Sequence, residues 1–299
     1  RTGMGAVMGS KYLKAVVVRG KQKPTIAHPE TFKELQKWGT ANLEATGMDG
    51  FGKYGTPGET TSQNKDGGLP TYNFNSGTFD KHEEIDGITL YNDHLRGHER
   101  DEQNRFGRDT CFSCQIKCKR VSQIDEGPYK TDAKYGGPEY ETLATFGSYC
   151  GISNMDAIIH ANALCNMYGM DTISCGATIS WAMECWAEGK LTSEDTGGIE
   201  LKYGSAEAMV KMTEMIAKRE GFGKILAEGS QKASEIIGRG TEDYLITSKG
   251  QEAPAHMPQV KRSLSVIYAT NPFGADHESS EHDPAYKAYP ERMEQIGLT

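Results

Sequence analysis

The stretch Cys111–Phe112–Ser113–Cys114–Gln115–Ile116–Lys117–Cys118 places three thiols at i, i+3 and i+7. On a helical turn all three would point to one side. Thiolate clusters select iron–sulfur clusters, zinc or copper(I). Lys117, Lys119 and Arg120 bring positive charge to a group whose thiolates would be negative. Zinc modules usually space two Cys/His pairs across a longer loop, whereas one tight triplet awaiting a single distant partner suits a cubane. Zinc and unligated thiols stay open on motif logic alone. A second candidate is His277, within the polar run Asn271–Pro–Phe–Gly–Ala–Asp–His–Glu278; it can serve as acid, base or ligand near neutral pH, or sit solvated in a loop. The stretch Gly137–Pro–Glu–Tyr–Glu–Thr142 reads as a helix start, with proline and acidic residues in the first turn. Finally, Gly3, Gly5 and Gly9, with Arg1 and Lys11 nearby, could hold phosphate through backbone N–H groups, or simply connect into a sheet.

Positioning these groups falls mostly to helices. Apolar residues recur at helical spacing over residues 27–44, 154–169, 173–188, 205–220 and 223–237, with Gly169, Gly189, Gly221 and Gly238 closing four of them. In the first, Phe32, Leu35 and Trp38 share one side. A last amphipathic helix is expected over residues 286–296, and one strand over residues 15–19. The Gly-rich stretch 47–77 reads as a long irregular, ligand-lining segment. Residues 79–107 are polar, with one short element near 85–95; residues 264–270 read as a strand or a buried helical run. Trp181, Met183, Cys185 and Trp186 read as core, as do Cys150, Cys165 and Cys175 in apolar helical surroundings. The expected class is mainly α with few short strands.

The chain has 299 residues and a formal net charge of −8, which argues against a general nucleic-acid surface. It contains no apolar run of membrane-spanning length and no visible signal peptide. Its seven cysteines, an odd number in a long chain, favour a reducing cytoplasm over a disulfide scaffold. Beginning at Arg1 and ending soon after a helix-like run, it reads as a piece of a longer protein.

Several long motifs, in order, resemble the tungsten-dependent aldehyde:ferredoxin oxidoreductase family. They are Arg-Thr-Gly-Met-Gly-Ala-Val-Met-Gly-Ser-Lys-Tyr-Leu-Lys-Ala at 1–15, Tyr-Gly-Thr-Pro-Gly at 54–58, Leu-Pro-Thr-Tyr-Asn-Phe at 69–74 and the cysteine triplet at 111–118. Gly-Pro-Glu-Tyr-Glu-Thr at 137–142, Asn-Met-Tyr-Gly-Met-Asp at 166–171 with Thr-Ile-Ser after it, Tyr-Ala-Thr at 268–270 and Gly274–His277 complete the set. The resemblance implies helical domains 2 and 3 of that fold: residues 1–25 as the tail of a pterin-binding first domain, 26–245 as the second domain, and 246–299 as the start of the third.

It further implies Cys111, Cys114 and Cys118 as three ligands of a 4Fe-4S cluster whose fourth cysteine lies beyond Thr299. Arg1, Gly3, Gly5, Asn166, Gly169 and Asp171 would hold a tungsten (or molybdenum) bis-pyranopterin, which this piece alone is not expected to retain. Glu141 and His277 would flank the substrate. The implied activity is oxidation of an aldehyde to a carboxylic acid with ferredoxin as electron partner, in the cytoplasm, with a homo-oligomer compatible. Asn166 stands where the family usually has Asp. Phe273-Gly-Ala-Asp-His277 and Met257-Pro-Gln-Val260 also depart from the usual motifs near the pocket, so the particular substrate is open. Aromatic acyl-CoA reductases share the scaffold and are the alternative within the family. A free-standing iron–sulfur electron-transfer module and a zinc-stabilised binding domain are the alternatives outside it, and neither gives a use for the 47–77 stretch or the Glu141/His277 pair.

Overall fold

The structure, a computed structural model, describes residues 4–100, 104–280, 282–284, 290–295 and 297. Its centre is a group of helices whose ends are written in the sequence. Asn154 accepts the Ala157 N–H and starts α7 (Met155–Tyr168); Asp171 accepts the N–H groups of Ile173 and Ser174 and starts α8 (Thr172–Ala187); Ser205 accepts the Ala208 N–H and starts α9 (Ala206–Lys218). Each such cap is worth about 1 kcal/mol. Much of α7 and α8 is buried, as their apolar composition requires, whereas α9 buries one face. The short helix α6 (Tyr140–Phe146) packs on α8, α9 packs on α7, and α10 (Gly223–Leu226) packs on α9.

The core draws Leu69, Leu90, Leu95, Leu143, Phe146, Tyr149, Ile158, Ile179 and Trp181 into one cluster. Burying each large side chain contributes roughly 1.5–3 kcal/mol. Trp181 keeps its indole N–H satisfied on the Thr241 carbonyl at 3.0 Å. A small second cluster holds Ala253, Leu264, Tyr268 and Ala275 around α12 (Arg262–Thr270). Among the described residues, paired strands are confined to two short antiparallel hairpins, β1 (Arg108–Asp109) with β2 (Lys119–Arg120) and β3 (Thr247–Ser248) with β4 (Gln251–Glu252). No helix of the described residues is long and apolar enough to cross a membrane.

Four expectations are corrected. Residues 15–19 form no strand: Val16, Val17 and Val18 are exposed, because a strand needs a ladder partner and no described residue supplies one. Residues 47–77 are less irregular than their glycines suggest, since they fold into α3 (Met48–Tyr54) and α4 (Glu59–Lys65). The run 223–237 is two helices, α10 and α11 (Ser230–Ile237), broken at Gly229, whose φ is +86°. Residues 111–118 form a loop with left-handed residues at Ser113 and Lys117, not a helical turn. The run 264–270 is helical, as α12. Of the last helix, Pro290–Gln295 is helical, and 285–289 and 296 lie outside the described residues.

Candidate active site and thiol loop

The thiol loop hangs between β1 and β2, where Arg108 pairs with Arg120 and Asp109 with Lys119. Thr110 donates its hydroxyl to the Cys114 carbonyl at 2.7 Å, and the Cys114 N–H reaches the Cys111 carbonyl at 3.0 Å. Cys111 is exposed, and Cys114 and Cys118 are half-buried. Backbone N–H groups of Ile116, chiefly, and Lys117 turn toward the Cys114 sulfur and lower its pKa below the ordinary thiol value.

What fixes this loop is Arg120, read from the sequence as a charge facing the thiolates. It is buried, and its guanidinium donates to four carbonyls: Cys118 at 3.1 Å, Lys117 and Gly52 at 2.9 Å, and Lys53 at 2.5 Å. It thereby ties the loop to the end of α3. Burial lowers its pKa to about 10, opposed by the Glu139 carboxylate. Close approach demands glycine beneath the loop: a Cβ on Gly52 would lie 2.2 Å from the Ile116 carbonyl oxygen.

The second constellation comes from three separate elements. Glu141 stands in the first turn of α6, where the helix dipole favours a carboxylate. Its Oε2 accepts the Ala255 N–H at 2.8 Å. Its Oε1 lies 3.3 Å from His256 Nε2 and 3.5 Å from His277 Nε2. The segment carrying Ala255 and His256 is strapped to the helices by tyrosine hydroxyls, Tyr140 donating to the Ala255 carbonyl at 2.6 Å and Tyr149 to that of Ala253 at 3.1 Å. His277 is carried past α12 by Gly274, whose φ is +91°. A Cβ there would lie 2.4 Å from the Ser248 carbonyl, so this glycine serves contact with the β3–β4 hairpin rather than with a ligand. The side chains of Glu141 and His277 are 12% and 13% exposed, and that of His256 is 6%.

The sequence singled out Glu141 and His277, and the fold brings them together. It gave no role to His256, nor to Lys261 and His282 behind it. Lys261 Nζ lies 3.0 Å from His256 Nδ1 and 3.1 Å from His282 Nδ1. Burial first, then the neighbouring Lys261 charge, holds His256 far below the usual imidazole range, so it is neutral. The ligand atoms of Glu141, His256 and His277 lie within 4.8 Å of one another, a spacing one metal ion could bridge. The buried ammonium of Lys261 against His256 opposes a cation there. Acid–base work is the chemistry that this group suits best.

The remaining candidates lie at the end of α7. Asn166 and Gly169 are exposed, and Asp171 spends its oxygens on the α8 N-terminus. Gly5, in α1 (Met4–Ser10), packs on Gly169: a Cβ on Gly5 would fall 2.8 Å from the Gly169 carbonyl oxygen. Arg1 and Gly3 lie outside the described residues. A cleft of about 1270 Å³ opens between the β1–β2 hairpin, residues 123–136 and α7, away from Glu141 and His277. Arg96, Arg108, Lys119, Lys130 and Lys134 outnumber Asp109, Asp125 and Asp132 along it, against the chain's net charge of −8.

A family model described as aldehyde ferredoxin oxidoreductase, domains 2 and 3, matches residues 30–297. The tungsten-containing aldehyde ferredoxin oxidoreductase of Pyrococcus abyssi is 36% identical over 300 residues, covering 98% of this chain and 47% of that protein. The WOR-like subunit of an aliphatic sulfonate oxidoreductase of Pyrococcus furiosus is 32% identical over 304 residues, covering 95% and 44%. The chain thus spans about half the length of the curated relatives it matches. The active-site complex BamBC of benzoyl coenzyme A reductase superposes with a TM-score of 0.66 at 22% identity over 91% of this chain and 41% of that one, a likeness of fold. Mainly helical, matched over nearly its whole length and carrying the family's motifs in order, the chain belongs to the aldehyde ferredoxin oxidoreductase family, a family of oxidoreductases.

Proposed function

We propose that the protein containing this chain oxidises aldehydes to carboxylic acids at a tungsten–pyranopterin centre, in the cytoplasm, and passes electrons through a 4Fe-4S cluster to ferredoxin. The observation that carries this reading is the meeting of Glu141 and His277, 136 positions apart in sequence (277 − 141), at 3.5 Å with both side chains largely buried.

The donor sets agree with it. Three solvent-reaching thiols, one with its pKa lowered by backbone N–H groups, suit thiolate ligation at Cys111, Cys114 and Cys118. Cys150, Cys165, Cys175 and Cys185 are buried and do not. Gly5 against Gly169, beside exposed Asn166, forms a surface where main chain rather than side chains would face a pterin, with Asp171 holding the adjoining helix start. When bound, the tungsten–pyranopterin supplies the two-electron redox chemistry, and the cluster the one-electron exit. The chain's own residues manage position and protons. An aldehyde and water yielding a carboxylate release three protons along with two electrons. Glu141, a carboxylate with acceptor oxygens, takes a proton from the water that adds to the carbonyl, while His277 Nε2 orients the substrate oxygen. Ala255 and His256 keep the carboxylate in place. The basic cleft running to the base of the thiol loop suits an acidic electron partner such as ferredoxin.

The test is turnover by full-length Glu141→Gln and His277→Asn enzyme of verified tungsten content. Each is expected to lose on the order of 10²–10⁴-fold in kcat; normal aldehyde oxidation by both would remove them from the mechanism. Cys114→Ala is expected to lower iron content and electron transfer together.

A further inference from the structure

Behind the Glu141–His277 pair sits a buried lysine. Lys261 is 4% exposed and stands at the N-cap of α12, the end of a helix that disfavours a cation. A methionine of similar length would fill the space without desolvating a charge. The carboxylates of Glu59, Glu141, Asp283 and Asp66 favour its charged form against burial, which lowers its pKa.

An ammonium has donors and no acceptor. Both ring nitrogens it meets, His256 Nδ1 at 3.0 Å and His282 Nδ1 at 3.1 Å, must therefore be acceptors. Both neutral rings then carry their proton on Nε2. His256 Nε2 lies 3.3 Å from Glu141 Oε1 without the geometry of a hydrogen bond, and His282 Nε2–H donates to the His277 carbonyl at 2.8 Å. One cation thus reaches both members of the pair, the side chain of one and the main chain of the other.

We infer that Lys261 is a positioning residue of this pocket: it fixes the Nε2–H tautomers of His256 and His282, and through them the Glu141 carboxylate and the His277 backbone. The consequence for turnover rests on the proposed function; the tautomer assignment does not.

The test uses full-length protein labelled with nitrogen-15 histidine and reads the ring tautomers by two-bond proton–nitrogen couplings, beside kcat and KM for an aldehyde at matched tungsten content. Wild type is expected to show Nε2–H at both rings. Lys261→Gln, whose amide still offers two N–H donors, should keep them and most of kcat. Lys261→Met should give mixed tautomers at His256, whose Nε2 is not hydrogen-bonded to Glu141, while the His277 carbonyl still holds His282 as Nε2–H. Its kcat should fall on the order of 10–100-fold, the usual scale for removing a supporting hydrogen bond behind a reactive group, with KM changed far less. An unchanged His256 tautomer in Lys261→Met, or an Nδ1–H His256 in Lys261→Gln, would overturn the inference. If Lys261→Met does not fold, Lys261→Gln still decides: retained tautomers support the inference. A wild-type enzyme inactive on aldehydes but showing the expected tautomer change would sink the proposed function and leave this inference standing.

Discussion

The thiol loop and the Glu141 pocket are built in opposite ways. The loop is one run of residues, shaped by its own main chain and pinned from beneath by Arg120, with its reactive atoms toward solvent. The pocket gathers α6, the strap after β4 and the turn after α12, and its reactive atoms are nearly enclosed. The contrast extends to cysteines of identical chemistry. N–H groups lower the pKa of Cys114 in the loop, while burial raises that of Cys185 in α8 to about 12. A thiolate ligand needs reach and stabilised negative charge; proton handling needs a fixed geometry from which most water is excluded.

The largest expected effect separates the two regions by attacking the loop's anchor. Arg120→Met should destabilise the protein by about 3–5 kcal/mol, since it leaves Glu139 without its buried counter-charge and four carbonyls without their donor. Urea unfolding followed by tryptophan fluorescence measures this. Iodoacetamide should then label Cys114 at a changed rate while Cys150 stays protected. A loss below about 1 kcal/mol would mean that the loop holds its own shape.

Gly52→Ala is a milder form of the same perturbation. A Cβ 2.2 Å from the Ile116 carbonyl must push the loop off α3, at about 1–3 kcal/mol. Glu141 and His277 should be unaffected, because the contacts that set them come from the strap after β4 and the turn after α12. A drop in aldehyde turnover at full iron and tungsten content would show that the two regions are coupled.

The same contrast explains what could be read from sequence. The triplet was visible because its residues are contiguous, and the helices of the core because caps and glycines mark their ends, as Asn154, Asp171, Ser205 and Gly169 do. Arg120 was visible as a charge, but its role depends on α3 lying under the loop, and α3 was hidden in a run of glycines. Glu141 and His277 were found through motif resemblance, not spacing. His256, Lys261 and His282 carry no local signal, since a lone histidine in a loop reads the same whether solvated or buried. The Val16–Val18 run misled for the converse reason, because apolar β-branched residues describe a strand only where a neighbouring strand exists.

The smallest effect concerns acid. His256 is held neutral in the folded protein, with its pKa far below the usual value of about 6.5, chiefly by burial and then by Lys261. The unfolded chain binds that proton as pH falls through 6.5 and the folded protein does not, so stability drops on the acid side. At pH 5.5 this one ring should remove about 1.3 kcal/mol relative to pH 7. His282, lowered in the same direction by burial, adds to the slope. The loop behaves oppositely: the lowered Cys114 thiol gains relative to the unfolded chain only as pH rises through its folded value. Urea midpoints of wild type and His256→Asn between pH 7 and 5.5 separate the two contributions. The variant starts less stable, having lost its contact with Glu141 and the acceptor facing Lys261, but its acid slope should be shallower by up to one proton. Parallel slopes would mean that His256 is protonated in the folded protein, with Lys261 then unable to donate to its Nδ1.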